Sequence, residues 1–368
     1  MALAKKFIDE NTRPTMADDT TPRERWMAIL ERKQSDRPPL DYWATDEVTD
    51  KVMRHLKATS LRDLYQKLEI DVPIKVEPKY VGPPIPPDED VFGCKYRDVT
   101  YGTGSYRECV SHPLSDYRTV EEIEVNFTWP DINDYDFTII KDQIAEWYDY
   151  PISGGGSEPF LDYKNLRGQQ QGYIDLFRYP EITEYCLDRM FDFRHEYTRR
   201  IYREIPGEVT FSYVAEDFGA QNGLLISPQM IRDIFLHRMK RMNDLAHSNG
   251  VHVFFHSDGA IKEIIPYMIE IGIDVLNPIQ WRCKDMDRVE LKREFGDKLV
   301  LHGAMDNQHT LPFGSAEDVR VEVRENISSL GPDGYILAPC HNIQPITPIE
   351  NILAMYDEAL KPLKKTQM

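Results

Sequence analysis

A histidine and an aspartate stand two residues apart in the segment FFHSDGAI, residues 254–261, at the end of an apolar run and just before a glycine. His256 and Asp258 have the side chains that bind metal ions through nitrogen and carboxylate oxygen, and that also act as general acids and bases. The same pair can simply end a strand with two polar residues. The segment therefore leaves three alternatives: a metal site, an acid–base site or a structural strand end.

Polar side chains follow each of five short apolar runs in the second half of the chain. The runs cover residues 209–214, 251–255, 273–279, 299–304 and 335–340. The residues at or just beyond their ends are Glu216, Asp217, Gln221, His256, Asp258, Asn277, Gln280, His302, Asp306, Gln308, Cys340, His341, Asn342 and Gln344. In a (β/α) barrel the carboxyl ends of the strands meet at one face, where active sites lie. The five ends together predict a polar pocket at one mouth of a barrel.

Three of these residues have the side chains of a catalytic metal site. His256, Asp258 and Cys340 offer one nitrogen, one carboxylate oxygen and one thiolate, and three protein ligands with an open fourth position are typical of catalytic zinc. The thiolate disfavours magnesium and calcium, which prefer oxygen ligands. Each residue taken singly also has a structural explanation. A lone cysteine, for example, is often a small buried hydrophobic residue.

The elements that position this pocket are strands buried on both faces, with helices between them. The five runs are apolar on both faces, which is typical of parallel strands covered by helices. Further strands are expected at 71–78 and 151–156, and a helix at 181–204. Hydroxyl–acid pairs typical of capping boxes mark helix starts. They are Thr21-Pro22 with Glu24, Ser315 with Asp318 and Thr347-Pro348 with Glu350, and Ser227-Pro228 begins another helix.

This order of elements predicts a TIM-type (β/α)8 barrel in a single domain over residues 1–368. It would carry an N-terminal helical extension over 1–50 and an inserted antiparallel hairpin at about 90–115, which turns at residues 102–104. An open doubly wound sheet is the alternative, but the chain has no G-x-G-x-x-G pattern for a dinucleotide. The GGGS at 154–157 is interpreted as a tight turn near the barrel mouth rather than a phosphate cradle.

The composition excludes several classes of function. The 368 residues are 41% hydrophobic and carry a formal net charge of −18. Such an acidic chain disfavours nucleic acid and anionic membranes as partners, because no basic stripe neutralises phosphates. No apolar run approaches the ~20 residues of a membrane span, and the first 19 residues are too charged for a signal peptide. With five scattered cysteines and no CxxC pair, we expect a reduced, cytoplasmic protein.

Three long segments identify a family resemblance. They are FFHSDGAIKEIIPYMIEIGIDVLNPIQ, LHGAMDNQHTLPFGSAEDVRVEVRENI and YILAPCHNIQPITPIENILAMYDEA. In this order they resemble the uroporphyrinogen decarboxylase superfamily, most strongly over about 205–362. The superfamily includes true decarboxylases and zinc- and cobalamin-dependent methyltransferases, and the resemblance implies a TIM barrel.

Residues near the N-terminus favour the methyltransferase branch. Tetrapyrrole decarboxylases of the superfamily carry an arginine-rich stretch there, which grips the carboxylates of the porphyrinogen. At the corresponding place this chain has Arg37 followed by two prolines, and then Tyr42, Trp43 and the residues ATD instead of a basic motif. A substrate with many carboxylates would lack its charge partners.

The resemblance also implies a zinc ligand set. In the methyltransferases it is typically His-x-Cys, followed about eighty residues later by a second Cys. The matching positions here are His256, Asp258 and Cys340, so an aspartate replaces the first cysteine. Carboxylates also bind zinc. Glu216 or Asp217 is placed to supply a fourth ligand or a proton acceptor.

The implied reaction moves a methyl group between a small molecule and the cobalt of a corrinoid. This chain has no corrinoid-binding D-x-H-x-x-G motif, so the corrinoid would arrive on a separate partner protein. Zinc would act as a Lewis acid on the heteroatom, and the oxygen-rich ligand set favours O-demethylation, with a methoxylated aromatic as the expected donor. Asp217, His302 or His341 would supply the proton. The expected substrate-binding residues are Tyr42, Trp43, Glu216, Phe218, Asn277, Gln280, Trp281 and Asn342.

Two other functions stay open from the sequence. A decarboxylase of a small carboxylated molecule would use Asp217 and His302 and need no metal. A barrel without chemistry would serve as a binding protein, and substitution of His256 or Cys340 would then change little but stability. Barrels of this type commonly pair, so a homodimer is possible.

Overall fold

A computed structural model describes residues 20–102 and 104–361. Within them the strands, in chain order, are β1 (Ile74–Val76), β2 (Lys79–Tyr80), β3 (Lys95–Tyr101), β4 (Gly104–Ser111), β5 (Tyr135–Asp136), β6 (Ile152–Ser157), β7 (Phe211–Ala215), β8 (Gly219–Ala220), β9 (Gly223–Leu224), β10 (His252–His256), β11 (Val275–Asn277), β12 (Val300–Met305) and β13 (Tyr335–Pro339). All the runs predicted as strands are strands, to within a few residues.

Seven of these strands form one parallel sheet, in the order β1-β6-β7-β10-β11-β12-β13. The segment Leu40–Ala44 closes it. On one side this segment makes parallel bridges to β13 and the loop after it, from Leu40 to Leu337 and from Ala44 to Ile343. On the other side, the Leu40 carbonyl oxygen accepts a hydrogen bond of 2.7 Å from the Asp71 N–H, just before β1. The segment thus takes the eighth position, and the predicted barrel is confirmed. Part of the expected N-terminal extension therefore belongs to the barrel wall.

The helices cover the outside of this wall and fill one of its ends. They are α1 (Pro22–Leu30), α2 (Asp46–Leu56), α3 (Leu61–Leu68), α4 (Val120–Asn126), α5 (Ile140–Ile144), α6 (Pro159–Arg167), α7 (Gln169–Arg178), α8 (Pro180–Glu204), α9 (Pro228–Met230), α10 (Leu236–Ser248), α11 (Ile265–Glu270), α12 (Arg288–Phe295), α13 (Thr310–Phe313), α14 (Ala316–Leu330) and α15 (Ile349–Ala359). A π-helical turn, Ile231–Phe235, joins α9 to α10. None of the helices in the described residues is long and apolar enough to cross a membrane.

Two of the three predicted capping boxes are present. Thr21 with Glu24 begins α1, and Ser315 with Asp318 begins α14. The third was wrong. Helix α15 begins at Ile349 with Pro348 as its N-cap, because the Thr347 N–H instead donates to the Gln344 carbonyl oxygen in the preceding turn.

Replacing Ser315 by alanine should lower the free energy of unfolding by about 1 kcal/mol, because the Ser315 hydroxyl accepts a hydrogen bond from the otherwise unpaired Asp318 N–H. Ser328→Ala, within the same helix, is the matched control and should change stability by less than about 0.5 kcal/mol. Urea unfolding measures both. Equal losses in the two variants would show that the cap contributes nothing.

The GGGS segment is part of β6 rather than a tight turn. The pairing of β6 with β7 shifts between Ser153 and Gly156, as in a β-bulge. Gly156 has a φ of +111°, and a Cβ there would lie 1.8 Å from the Tyr213 carbonyl oxygen. Only glycine allows this close approach of the two strands.

Two clusters of buried apolar side chains stabilise the barrel. A large one lies between the sheet and the helices. A smaller one fills the interior, with Phe211, Phe254, Val275, Val300 and Ile336 from five strands. Helix α1 adds Trp26, whose ring stacks on Phe211 at a centroid distance of 5.3 Å. The interior of this end of the barrel is therefore packed and dry.

The inserted hairpin is confirmed as β3 paired antiparallel with β4. At its tip, the Tyr101 hydroxyl donates a hydrogen bond of 2.5 Å to Gln344 Oε1, in the loop after β13. The predicted turn includes Thr103, which lies outside the described residues, as do residues 1–19 of the expected N-terminal extension. All five cysteines are free thiols, and four of them are buried.

Candidate active site

Three polar residues form the layer directly above the apolar interior. His256, Asn277 and His302 stand two positions beyond Phe254, Val275 and Val300 on β10, β11 and β12. Because side chains alternate along a strand, residues two apart face the same side. The parallel register pairs His256 with Asn277, so their side chains meet inside the barrel.

His256 faces two carboxylates. Its Nε2 atom lies 3.6 Å from Asp217 Oδ1 and 4.0 Å from Asp258 Oδ1. One donor atom from each of the three residues lies within 4.8 Å of the others. On its other side, His256 Nδ1 is 2.5 Å from Asn277 Oδ1. Since an amide oxygen only accepts, this hydrogen bond requires a proton on Nδ1.

Hydrogen bonds hold the two carboxylates in place. The Asp258 N–H donates to Asp217 Oδ1 at 3.2 Å, which joins the loops after β7 and β10. Gln280 donates to Asp258 Oδ1 at 3.2 Å and accepts from the Gly259 N–H at 2.6 Å. Gln280, predicted to bind substrate, therefore orients an acid of the cluster.

The acids at this mouth are crowded. Burial, together with the charge of Asp217, raises the pKa of Asp258, while His256 and His341 oppose the shift. Burial raises the pKa of Glu158 to about 7, with a further contribution from Asp217. A cation between these carboxylates would relieve their repulsion.

A cavity of about 570 Å³ lies beside this cluster. Its walls come from the closing segment, β1, β6, β7 and β10, with Asn342 from the loop after β13. Trp43 and Tyr213 connect it to the cluster, since their rings line the cavity and also approach the His256 ring at centroid distances of 5.8 and 5.5 Å. Tyr42 lines the cavity as well. Three predicted substrate-binding residues, Tyr42, Trp43 and Asn342, are thus found at the cavity.

Four other predicted substrate-binding residues are not found at this cavity. Phe218 is fully buried and packs edge-to-face on Phe235. Glu216 is buried, and its Oε1 accepts from the Phe160 N–H at 2.9 Å, with a pKa raised by burial. Asn277 is enclosed between two histidines. Trp281 lies between the guanidinium groups of Arg282 and Arg288, beside a separate small crevice.

His302 does not fit its predicted role as a proton donor to substrate. Its side chain is fully buried, and both ring nitrogens are hydrogen-bonded, Nδ1 with Asn277 Nδ2 at 2.6 Å and Nε2 with Asp41 Oδ2 at 3.0 Å. The reason is the length of β12, which continues to Met305, so His302 lies inside the strand rather than at its end. His341 is exposed and acts electrostatically on Asp258, so it keeps its candidate role.

Cys340 is not in the group of three. Its thiol donates to the Ile279 carbonyl oxygen at 3.3 Å, and burial raises its pKa well above the ordinary value. In the structure, the third residue grouped with His256 and Asp258 is Asp217 rather than the predicted Cys340.

Several residues at the site were missed in the sequence. Asp41 lies in a closing segment that has no strand-like run, and Tyr213 lies inside an apolar strand. Glu158 directly follows β6. The expectation that functional side chains follow the ends of strands would have found it if the GGGS segment had been interpreted as a strand. Arg194 lines the cavity from the middle of α8, and nothing local in the sequence distinguishes it from other helix arginines.

A divalent metal ion fits the donor atoms of this cluster. His256 Nε2 faces the acids, Nδ1 is hydrogen-bonded to Asn277, and two carboxylates add oxygen donors and negative charge. Zinc binds both histidine nitrogen and carboxylate oxygen, and three protein ligands leave it an open position. A histidine hydrogen-bonded through its non-ligating nitrogen is the usual arrangement around a bound metal.

The fold and the site together define a (β/α) barrel with an acid–histidine cluster at the carboxyl ends of its strands. The chain belongs to the uroporphyrinogen decarboxylase family: the family model described as Uroporphyrinogen decarboxylase (URO-D) matches residues 137–361, more than half of the chain.

Two similar proteins carry methyltransferase names. Methylcobamide:CoM methyltransferase MtaA of Methanosarcina barkeri is 30% identical over 217 residues, which make up 59% of this chain and 59% of that protein. The match therefore covers less than two thirds of the relative. A solved structure of a methyltransferase from Methanosarcina mazei covers 93% of this chain and 98% of its own, with a TM-score of 0.64 and 18% identity. The predicted superfamily is confirmed.

Proposed function

We propose that this protein is a metal-dependent methyltransferase that moves a methyl group between a small molecule and the cobalt of a separate corrinoid protein. The observation that carries the proposal is the grouping of His256 Nε2 with two carboxylates beside a cavity. The similarity to a methylcobamide:CoM methyltransferase supports the corrinoid as the reaction partner. The corrinoid-protein partner, the cytoplasmic location and the homodimer stay predictions.

His256, Asp217 and Asp258 would hold the metal, and zinc matches these donors. When bound, it supplies a Lewis acid that withdraws charge from the heteroatom bearing the methyl group. The protein's own groups do the rest: Gln280 orients Asp258, and the Trp43 and Tyr213 rings pack against the His256 ring. Glu158 or His341 is placed to exchange a proton with the leaving heteroatom. Glu158 suits this task because its pKa of about 7 lies near neutrality.

The cavity favours a small aromatic methyl donor. Aromatic surface on its walls comes from Trp43, Tyr197, Phe211, Tyr213 and Phe254. Aromatic pairs prefer offset-stacked or edge-to-face contacts, which such walls allow. A methoxylated ring would thus bind with its oxygen toward the acid–histidine cluster, in the direction of O-demethylation.

The decarboxylase alternative has less support. Arg37, which stands at the place of the arginine-rich stretch, bonds to Asp71 at 2.6 Å and is not free for a substrate. Lys75 and Arg194 are the cations on the cavity wall, and they pair with Glu77 and Asp162 at 2.5 and 3.2 Å. A polycarboxylate would meet an acidic cavity whose positive groups are already engaged.

The test is methyl transfer with free cobalamin as the probe. Purified protein loaded with zinc is mixed either with cob(I)alamin and methoxylated benzenes or with methylcobalamin and small thiols, and the cobalamin absorbance is followed. A rate above that of the zinc-only control, lost when zinc is removed by a chelator and restored by its addition, is expected. If no methyl group is transferred in either direction and the protein decarboxylates a carboxylated ring, the proposed function is wrong and the decarboxylase alternative replaces it.

The ligand set has its own test, because Asp217 and Cys340 are competing third ligands. Asp217→Asn should lose near-stoichiometric zinc, whereas Cys340→Ser should keep it, since the thiol already bonds to a backbone carbonyl. Elemental analysis of protein purified without chelator measures both. Zinc lost from Cys340→Ser and kept in Asp217→Asn would restore the set predicted from the sequence.

A further inference from the structure

A line of hydrogen bonds runs through the barrel from Asp41 to His256. The Asp41 carboxylate accepts from three donors: the Tyr42 N–H at 2.7 Å, Trp43 Nε1 at 2.8 Å and His302 Nε2 at 3.0 Å. His302 Nδ1 lies 2.6 Å from Asn277 Nδ2, and Asn277 Oδ1 lies 2.5 Å from His256 Nδ1. Asp41, Asn277, His302 and His256 are all buried.

The chemistry of the groups sets the direction of every bond. A carboxylate only accepts, so His302 Nε2 carries a proton, and the neutral ring then leaves Nδ1 as an acceptor. Asn277 must turn its NH₂ group to that nitrogen and its oxygen to His256. His256 therefore carries its proton on Nδ1. With a single proton on His302, reversing any one link would bury an unpaired donor or oppose two acceptors, which is costly in a dry interior.

We propose that Asp41, His302 and Asn277 form a positioning relay that holds His256 in the tautomer with a free Nε2. The term positioning relay denotes these three residues. Its role as support for a metal ligand rests on the proposed function, whereas the tautomer it imposes does not. The proposal opposes a specific alternative: Asp217 and Asp258 stand near Nε2 and would favour a proton there, so the relay must outweigh them.

The relay also reaches the substrate cavity. Asp41 lines that cavity and holds the Trp43 indole, whose ring stacks on His256 with an interplanar angle of 29°. One carboxylate thus orients both the ring against which a substrate would pack and, through two links, the nitrogen that faces the acids. No substrate contact is needed for Asp41 to act on both.

The experiment reads the tautomer directly in metal-free protein. Histidine labelled with ¹⁵N reports by NMR which ring nitrogen carries the proton, and His256 is assigned by its loss in a His256→Gln variant. At pH 8 we expect the parent protein to show His256 with its proton on Nδ1. A proton on Nε2, or on both nitrogens, would overturn the proposal even if none of the variants at Asn277 folds.

Variants separate the polar role from packing. Asn277→Leu removes the acceptor at similar volume, so the proton should shift to Nε2 and zinc should bind about 10–100-fold more weakly. Asn277→Asp keeps an acceptor and should retain the Nδ1 proton. Asn243→Leu replaces a buried asparagine outside the relay and should leave the His256 signals unchanged. An unchanged tautomer in Asn277→Leu would overturn the proposal.

The two proposals fail separately. If His256 shows the predicted tautomer but the parent protein binds no zinc and transfers no methyl group, the proposed function is wrong and the relay stands. If zinc binds and methyl transfer occurs while the metal-free ring carries its proton on Nε2, the relay is wrong and the proposed function stands.

Discussion

Replacing His256 by alanine should abolish stoichiometric zinc binding and lower the rate of methyl transfer by roughly a thousandfold. The imidazole is the nitrogen donor of the cluster, and without it Asp217 and Asp258 remain as two like charges. A Lewis acid contributes several kcal/mol to stabilising the charge of a transition state, and about 4 kcal/mol corresponds to a thousandfold in rate. Elemental analysis and the cobalamin assay measure the two effects.

The matched control is His55→Ala, which removes an exposed histidine of α2 far along the chain from the cluster. It should keep both zinc and activity. Thermal unfolding of both variants checks that the His256→Ala protein is folded when its metal content is measured. A folded His256→Ala variant that retains zinc would show that the cluster of His256, Asp217 and Asp258 is not the metal site.

Replacing Trp26 by alanine should lower the free energy of unfolding by about 3–5 kcal/mol, the range for large aromatic residues in a core. Trp26 is fully buried, stacks on Phe211 and donates through Nε1 to the Asp71 carbonyl oxygen at 2.7 Å. Its loss would leave a cavity inside the barrel and an unpaired carbonyl beside it. Urea unfolding at constant temperature measures the change.

Two further variants bracket this effect. Trp26→Phe keeps a ring in the barrel but loses the hydrogen bond, so its cost should be about 1–3 kcal/mol. Tyr148→Ala removes an exposed ring and should cost less than about 0.5 kcal/mol. If Trp26→Ala were as mild as Tyr148→Ala, α1 would be an attachment to the barrel rather than part of its core.

Much of the fold could be predicted from the sequence because its signals are local. Each apolar run between helix caps became a strand of the parallel sheet, and the hairpin appeared where the residues alternate. The errors have local causes too. The GGGS was interpreted as a turn because glycine is common in turns, but here it allows β6 to approach β7. Thr347 resembles a cap, but a preceding turn uses its backbone N–H.

The site was predicted only in part. The rule about strand ends found His256, Asp217, Asp258 and the polar layer around them. It misplaced His302, because the end of β12 lies three residues beyond it. Cys340 was predicted ahead of Asp217 as the third ligand, first from its side-chain chemistry and then from the resemblance, whereas the thiol is directed at the Ile279 carbonyl oxygen.

By itself, the sequence determined the elements, the barrel class and the face on which chemistry would lie. These follow from side-chain periodicity and from the common direction of parallel strands, which act over a few residues. The tertiary structure alone decided which groups meet. Asp41 reaches His302 from 261 positions away along the chain, and only closure of the barrel brings them to 3.0 Å. Contacts of that kind depend on the register of the whole ring, and no short stretch of residues encodes that register.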